Sequence, residues 1–254
     1  MSPLKLKSGI IYGPVESRRL GKSLGINLSP TSHKACSFNC VYCHYGWTDF
    51  LTVDSAKLQD DLPGPDEVGE ALEEVLVQRI DLDYITFSGN GEPTLHPQFD
   101  KIVDLVVKIR NQHFPGKRIA VLSNSSMLHK KQVLNALRKI DLRIMKLDCG
   151  NPQTFLKFNR PHASIDYGEI AGNLKEMNGI VIQAMLGNGE LGNAKDEQVM
   201  DWIDRIAEIK PDSVQLYSLE NPPAEESLGS VETNKLKKIA QMTREKTGIK
   251  VEIY

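Results

Sequence analysis

Seven short apolar and β-branched runs punctuate the 254-residue chain, at 23–28, 84–88, 118–123, 142–148, 180–185, 213–217 and 250–253. Each has the length and composition of a buried strand. Between them the period changes: apolar residues recur every three or four positions, which predicts helices over 66–80, 97–111, 129–139, 166–177, 195–208 and 232–246. The first helix opens on Asp66-Glu67 and sets Val68, Leu72, Val75 and Leu76 on one face. The second starts at Pro97, a residue suited to a first helical turn. Strands alternating with helices pair in parallel through crossovers, giving a doubly wound sheet or a (βα) barrel. The expectation is an α/β fold of the second kind, a partial (βα)6 barrel of TIM type with a parallel sheet and outer helices. One domain takes up 1–254, and 232–254 completes the barrel edge.

The two ends of the strands differ chemically. Gly89-Asn90-Gly91-Glu92-Pro93 follows the second strand, Asn124-Ser125-Ser126 the third, and Cys149-Gly150-Asn151 the fourth. Leu186-Gly187-Asn188-Gly189 follows the fifth and Leu219-Glu220-Asn221-Pro222-Pro223 the sixth, whereas entering segments such as Phe114-Pro115-Gly116-Lys117 read as plain turns. Barrel enzymes build their sites at the carboxyl ends of the strands, so the chemistry is expected on that rim.

Composition adds little. Hydrophobic residues at 40% and charged residues at 25% are ordinary for a globular protein, and a net charge of −2 exerts no global pull toward nucleic acid or anionic lipid. Arg18-Arg19 with Lys22, His129-Lys130-Lys131 and the lysines of 235–238 are expected to be solvated. The most apolar stretch, 102–109, is broken by Asp104 and Lys108, so no membrane span is expected. Early lysines without an apolar leader run point to a cytoplasmic protein.

The cysteines change the picture. Three of the four fall within eight residues, Cys36-Ser37-Phe38-Asn39-Cys40-Val41-Tyr42-Cys43, on a loop expected over 30–47 after the first strand. Clustered thiols of this kind suit a metal better than a disulfide scaffold. Thiolates select zinc, copper(I) or iron–sulfur clusters. His33 or His44 could complete a Cys3His zinc site, which leaves a non-catalytic zinc protein or an electron carrier as the rival from another class. A cubane normally takes four thiolates; with three, one iron keeps an open position, which suits redox or radical catalysis at a barrel mouth.

C-x3-C-x-aromatic-C on the loop after the first strand resembles the radical S-adenosylmethionine (SAM) superfamily. The likeness extends to Gly89-Asn90-Gly91-Glu92-Pro93, similar to a Gly-Gly-Glu-Pro segment but with Asn90 between the glycines, and to Ser123-Asn124-Ser125. Gly13-Pro14-Val15-Glu16-Ser17-Arg18-Arg19-Leu20-Gly21, Asn159-Arg160-Pro161-His162 and Pro222-Pro223-Ala224-Glu225 resemble more narrowly a wyosine-synthase-like branch of Fe–S oxidoreductases.

The resemblance implies that Cys36, Cys40 and Cys43 hold a [4Fe–4S] cluster whose fourth iron is chelated by S-adenosylmethionine. One electron from an external donor then yields a 5′-deoxyadenosyl radical that abstracts hydrogen from an unidentified substrate. Tyr42 is placed to meet the adenine. Gly89, Asn90 and Gly91 bring backbone near the methionyl amino group. Glu92 accepts from that group, and Ser123 and Asn124 suit the ribose hydroxyls, with a cap on the next helix as the alternative for 123–126. Asp148 and Cys149 are the candidate catalytic pair, with a buried, inert thiol as the alternative for Cys149. Arg160 and His162 could be substrate ligands or could simply fix a loop, and His96 is expected to belong to the turn into the next helix. The substrate is a small molecule, a peptide or a nucleotide. A tRNA-base modification of wyosine type is weakened by the cysteine count, since Cys149 alone cannot build a second ordinary cluster.

Overall fold

In the computed structural model, which describes residues 3–78 and 80–254, the seven apolar runs form seven strands of one sheet. Ahead of them lies β1 (Ile11–Ser17). β2 (Gly21–Ile26) follows, then the two-residue pair β3 (Ala35–Cys36) and β4 (Phe50–Leu51). The regular alternation runs α1 (Pro65–Leu76), β5 (Tyr84–Phe87), α2 (Phe99–His113), β6 (Arg118–Ser123), α3 (Lys131–Leu137) and β7 (Leu142–Lys146). Two helices come next, α4 (Pro152–Phe158) and α5 (Tyr167–Lys175). Then follow β8 (Ile180–Asn188), α6 (Asp196–Ile209), β9 (Ser213–Ser218), β10 (Gly229–Ser230), α7 (Thr233–Thr247) and β11 (Lys250–Ile253).

Strand order decides between the two architectures left open by the alternation. The sheet runs β1-β2-β5-β6-β7-β8-β9-β11, so its parallel strands lie side by side in chain order. A doubly wound sheet reverses direction at a switch point; this one never does. Right-handed crossovers that always step the same way put every helix on one face and curl the sheet toward a barrel. β1, antiparallel to β2, and β11 form the two edges, and they do not pair among the described residues.

Side chains alternate across the sheet with period two. Ile85 and Phe87, Ile180 and Ile182, and Leu24 and Ile26 are buried in the core under the helices. The opposite face carries Ser23, Thr86, Lys146, Gln183 and Tyr217, a polar set lining a lumen. Its floor is apolar: Leu20, from the β1–β2 turn, packs with Ala120, Ile144 and Val181.

Several local features differ from expectation. α1 ends at Leu76 rather than at 80, and Arg79 lies outside the described residues. α4 has no counterpart among the helices expected from the sequence: Asn151 caps it by accepting from the Thr154 N–H at 2.8 Å, and Pro152 takes the first helical position. β1 escapes a periodicity search because Gly13 and Pro14 interrupt it and only its edge position tolerates them. Segment 123–126 caps no helix, since α3 begins at Lys131.

Candidate active site at the carboxyl rim

The cysteine loop leaves β2 and is held by backbone from distant parts of the chain. Asn39 N–H donates to the carbonyls of Asn159 and Arg160 at 3.1 and 2.9 Å, Val41 N–H to Phe158 at 3.0 Å, and His162 N–H to Ser37 at 2.9 Å. From the far side Glu225 N–H donates to the Val41 carbonyl at 2.9 Å. The Asn159–His162 and Pro222–Glu225 stretches are therefore clamps on this loop, and Arg160 additionally covers the Trp47 ring at 4.8 Å. The β3–β4 pairing and the Lys34 Nζ bond to the Gly46 carbonyl at 2.6 Å close the loop on itself.

Cys36, Cys40 and Cys43 are free thiols, each half-buried, and all three line the lumen. Burial pushes the Cys36 thiol up to about 11 and Cys40 to about 12, with Asp148 adding to the second. In the metal-free chain both are protonated near neutrality, so ligating a metal releases their protons. Two amides point at the sulfurs: Asn124 Nδ2 lies 3.7 Å from Cys36 Sγ and Asn159 Nδ2 3.5 Å from Cys40 Sγ. Among the described residues no three His, Cys, Asp or Glu side chains converge on a single ion, as a mononuclear zinc site would need. Three thiols on one loop, with amide donors aimed at two of the sulfurs, are the donor chemistry an iron–sulfur cluster takes.

The loop after β5 is built around Glu92. Its carboxylate is buried and accepts from Thr94 N–H at 3.0 Å, Thr94 Oγ1 at 2.5 Å and Ser123 Oγ at 2.9 Å, all on Oε1, and from Asn124 N–H on Oε2. Burial raises its pKa against the pull of these donors. Oε1 is saturated, so Oε2 is the oxygen with capacity left for a further donor. Gly89 and Gly91 have a second reason to lack a side chain. A Cβ on Gly89 (φ +143°) would stand 2.3 Å from Asn27 Oδ1, and one on Gly91 would stand 2.0 Å from the Ala35 carbonyl oxygen. Gly91 thus sets the contact between this loop and the cysteine loop.

Three residues expected at the cofactor have their polar groups engaged inside the protein. Asn90 is fully buried; its amide accepts from Lys7 N–H at 2.7 Å and donates to the Lys7 and Pro30 carbonyls, each at 2.9 Å. It anchors the N-terminal segment across the rim. Ser123 donates to Glu92 and accepts from Ser125 N–H at 3.1 Å, leaving it no donor for a ribose. Asn124 lines the lumen, but its amide donates to Ser37 Oγ at 2.8 Å and its carbonyl oxygen accepts from Ser126 N–H at 3.0 Å.

The candidate catalytic pair is likewise placed behind the wall. Asp148 accepts from Tyr42 OH at 2.5 Å, Asn159 Nδ2 at 2.7 Å and Met185 N–H at 2.9 Å, and pairs with Lys146 Nζ at 3.2 Å. With every lone-pair direction occupied it is a positioning residue. Cys149 is 2% exposed and its Sγ faces Asn159 Oδ1 at 3.5 Å. Burial first, and Asp148 second, push its thiol well above the usual pKa.

Asp148 instead organises two residues that do face the lumen. Tyr42, whose ring packs on Phe158 at 4.9 Å, is oriented by its hydroxyl bond. Lys146 bonds Tyr217 OH at 2.8 Å and lies 5.0 Å over the Tyr42 ring. Burial works to lower the Lys146 pKa, but Asp148 and Tyr217 raise it further, and the ammonium stays charged. Lys146, Tyr217, Asn159 and Arg19 were not singled out individually from the sequence. The signal for Lys146 was its place two residues after inward-facing Ile144 on a strand.

Substituting Asn159→Ala removes the donor to Cys40 Sγ and one to Asp148. Cluster retention is expected to fall about 10- to 100-fold, read as iron bound per chain after dilution with a chelator.

Against this geometry stand the comparisons with known proteins. Residues 31–203 match the family model described as the Radical SAM superfamily. The chain belongs to the radical SAM superfamily. The matched region runs from the cysteine loop through α6. A UPF0026 protein of Methanocaldococcus jannaschii is 30% identical over 248 residues, 94% of this chain and 72% of its own length. A Brachyspira hyodysenteriae protein named GTPase Obg is 31% identical over 258 residues, 98% of this chain; the chain spans only 35% of that relative. Among solved structures, TYW1 with a lysine–pyruvate adduct bound superposes with a TM-score of 0.60 at 16% identity, over 90% of this chain and 74% of that one. At that identity the likeness concerns the fold, which is the partial barrel described above. Among the described residues no helix is long and apolar enough to cross a membrane.

Proposed function

We propose that this radical SAM protein is an enzyme that holds a [4Fe–4S] cluster on Cys36, Cys40 and Cys43 and cleaves S-adenosylmethionine reductively. The observation that supports this most is the set of three free thiols lining the lumen; Cys149, the remaining cysteine, is buried against Asn159 and is not part of that lining. When bound, the reduced cluster and S-adenosylmethionine supply a 5′-deoxyadenosyl radical that takes hydrogen from the substrate.

The chain's own residues do the rest. Asn124 and Asn159 aim amide N–H groups at two of the sulfurs, the kind of contact that tunes a cluster's potential. Glu92 Oε2 offers an acceptor to an ammonium on the cofactor side, held in place by Ser123 and Asn124. Tyr42, fixed by Asp148, presents ring surface to the lumen beside the cysteines. An external one-electron donor is required, and the free thiols suit a reducing, cytoplasmic setting. A second cluster of wyosine type has no ligands to build on, which favours a single-cluster enzyme over tRNA-base modification of that kind.

Anaerobic reconstitution with iron and sulfide is expected to give a brown protein. With dithionite and S-adenosylmethionine it should release 5′-deoxyadenosine slowly without added substrate. A colourless protein that takes up zinc and releases none would sink the proposal.

A further inference from the structure

Under the cysteine loop lies a cavity of about 480 Å³ lined by the basic side chains Lys7, Arg19, Lys34 and Lys146 and by the carboxylates of Glu92 and Glu220. Most of these charges are accounted for. Lys146 pairs with Asp148, Glu220 with Arg18, and Lys34 bonds the Gly46 carbonyl. Lys7 belongs to the cysteine rim, where its backbone is tied to Asn90 and its ammonium lies 4.8 Å over the Tyr12 ring. Arg19 is different. It enters from the β1–β2 turn, and its guanidinium stands 5.0 Å from the Tyr217 ring centre and 5.8 Å from that of Tyr254.

Its Nη1 is buried and has no hydrogen-bond partner. Two other guanidinium nitrogens among the described residues share that condition, Nε of Arg143 and of Arg205, but neither residue lines the cavity. A buried charged donor without an acceptor is costly to keep. The two tyrosine rings hold the guanidinium in place, so the acceptor has to come to it.

The surroundings narrow what that acceptor is. Around Arg19 the lumen offers the neutral polar groups of Ser17, Ser23, Thr86 and Gln183, and Lys146, 5.1 Å from the same Tyr217 ring, is paired with Asp148, so the local excess is one positive charge. One planar fork and one charge match a carboxylate. A phosphate dianion would call for a second unpaired cation beside Arg19, and Lys146, the cation that shares the Tyr217 ring, is already paired with Asp148. Because S-adenosylmethionine takes part of the same volume, the occupant is small.

Resting on the radical SAM enzyme proposed above, we infer that the substrate is a small organic acid. Arg19 binds its carboxylate beside Tyr217, and the rest of the molecule occupies the lumen next to the cysteines. Arg19 is thereby a substrate-binding residue, and its neighbours Tyr217 and Tyr254 are positioning residues for it.

Lactate, succinate and phenylacetate, each against its own amide, are the probes, with glycerol 3-phosphate and adenosine monophosphate as phosphate controls. The melting temperature of the reconstituted holoenzyme with S-adenosylmethionine is read against probe concentration. At least one acid is expected to stabilise the protein while its amide does not. Arg19→Met should weaken the apparent affinity for that acid about tenfold or more, and Arg19→Lys should restore part of it. Acid and amide acting alike, no acid acting, or phosphates acting where acids do not would each overturn the inference on the wild-type protein alone. Release of 5′-deoxyadenosine is measured in parallel. Acid binding without release would refute the enzyme proposal and not the anion site; release without acid selectivity would refute the anion site and not the enzyme.

Discussion

Cys40→Ala is expected to abolish both the brown iron–sulfur absorbance after reconstitution and the release of 5′-deoxyadenosine. Three thiolates leave a cubane one open iron, and losing one of them leaves two, too few to hold the cluster and that open position together. The other cysteine, Cys149, is buried against Asn159, and among the described residues no three His, Cys, Asp or Glu side chains form a ready ion site. The fold should survive, because the clamps on the loop are backbone bonds from Phe158 to His162 and from Glu225, none of which uses a sulfur. Anaerobic absorbance, iron content and chromatographic assay of 5′-deoxyadenosine check the outcome, with circular dichroism as the fold control. Release that persists at the wild-type rate in Cys40→Ala would show that the three-thiolate mechanism is wrong.

Asp148→Asn is expected to be the most damaging substitution outside the cysteines. The carboxylate is 1% exposed and Lys146 16%, so solvent screens their pairing little. Removing the negative charge leaves an uncompensated ammonium inside the barrel, an effect of about 3–5 kcal/mol. An amide also turns a donor toward a place where Tyr42 OH, Asn159 Nδ2 and Met185 N–H all donate. The double variant Lys146→Met with Asp148→Asn should regain much of the stability, since no buried charge is then unpaired. It should not regain activity, because Tyr42 still lacks its anchor. Urea unfolding of the four proteins in the cycle measures the coupling. Equal stability of Asp148→Asn and wild type would remove Asp148 from its place at the centre of this network.

Much of the architecture could be read from the chain alone, for a local reason. Strand and helix differ in the spacing of apolar residues, so the seven parallel strands and their crossover helices appeared in the sequence with bounds close to those observed. α4 and β1 did not, because a proline-led cap and an edge strand broken by Gly13-Pro14 leave little periodicity. The cysteine loop was legible for a chemical reason: three soft ligands in eight residues have few other uses. The narrower motifs at Asn159–His162 and Pro222–Glu225 were visible as likenesses, but their task as clamps was not.

Side-chain roles divide along the same line. Asn90, Ser123 and Asp148 have the chemistry of ligand-binding groups, and nothing in their sequence neighbourhood shows that their bonds are taken. Their partners lie far along the chain: Lys7 is 83 residues from Asn90, Glu92 31 from Ser123, and Tyr42 106 from Asp148. Arg19 is the converse case. Beside Arg18 and Lys22 it reads as part of a solvated basic cluster, and those two do pair on the outside with Glu220 and Asp81. Only the curl of the sheet turns Arg19 inward against Tyr217 and Tyr254. The sequence by itself determined most of the elements, their parallel pairing and the three-thiol loop, because periodicity and ligand spacing are local. Which polar groups are saturated and which remain open to a ligand was decided by the tertiary structure, because saturation depends on partners that folding alone brings within hydrogen-bond reach.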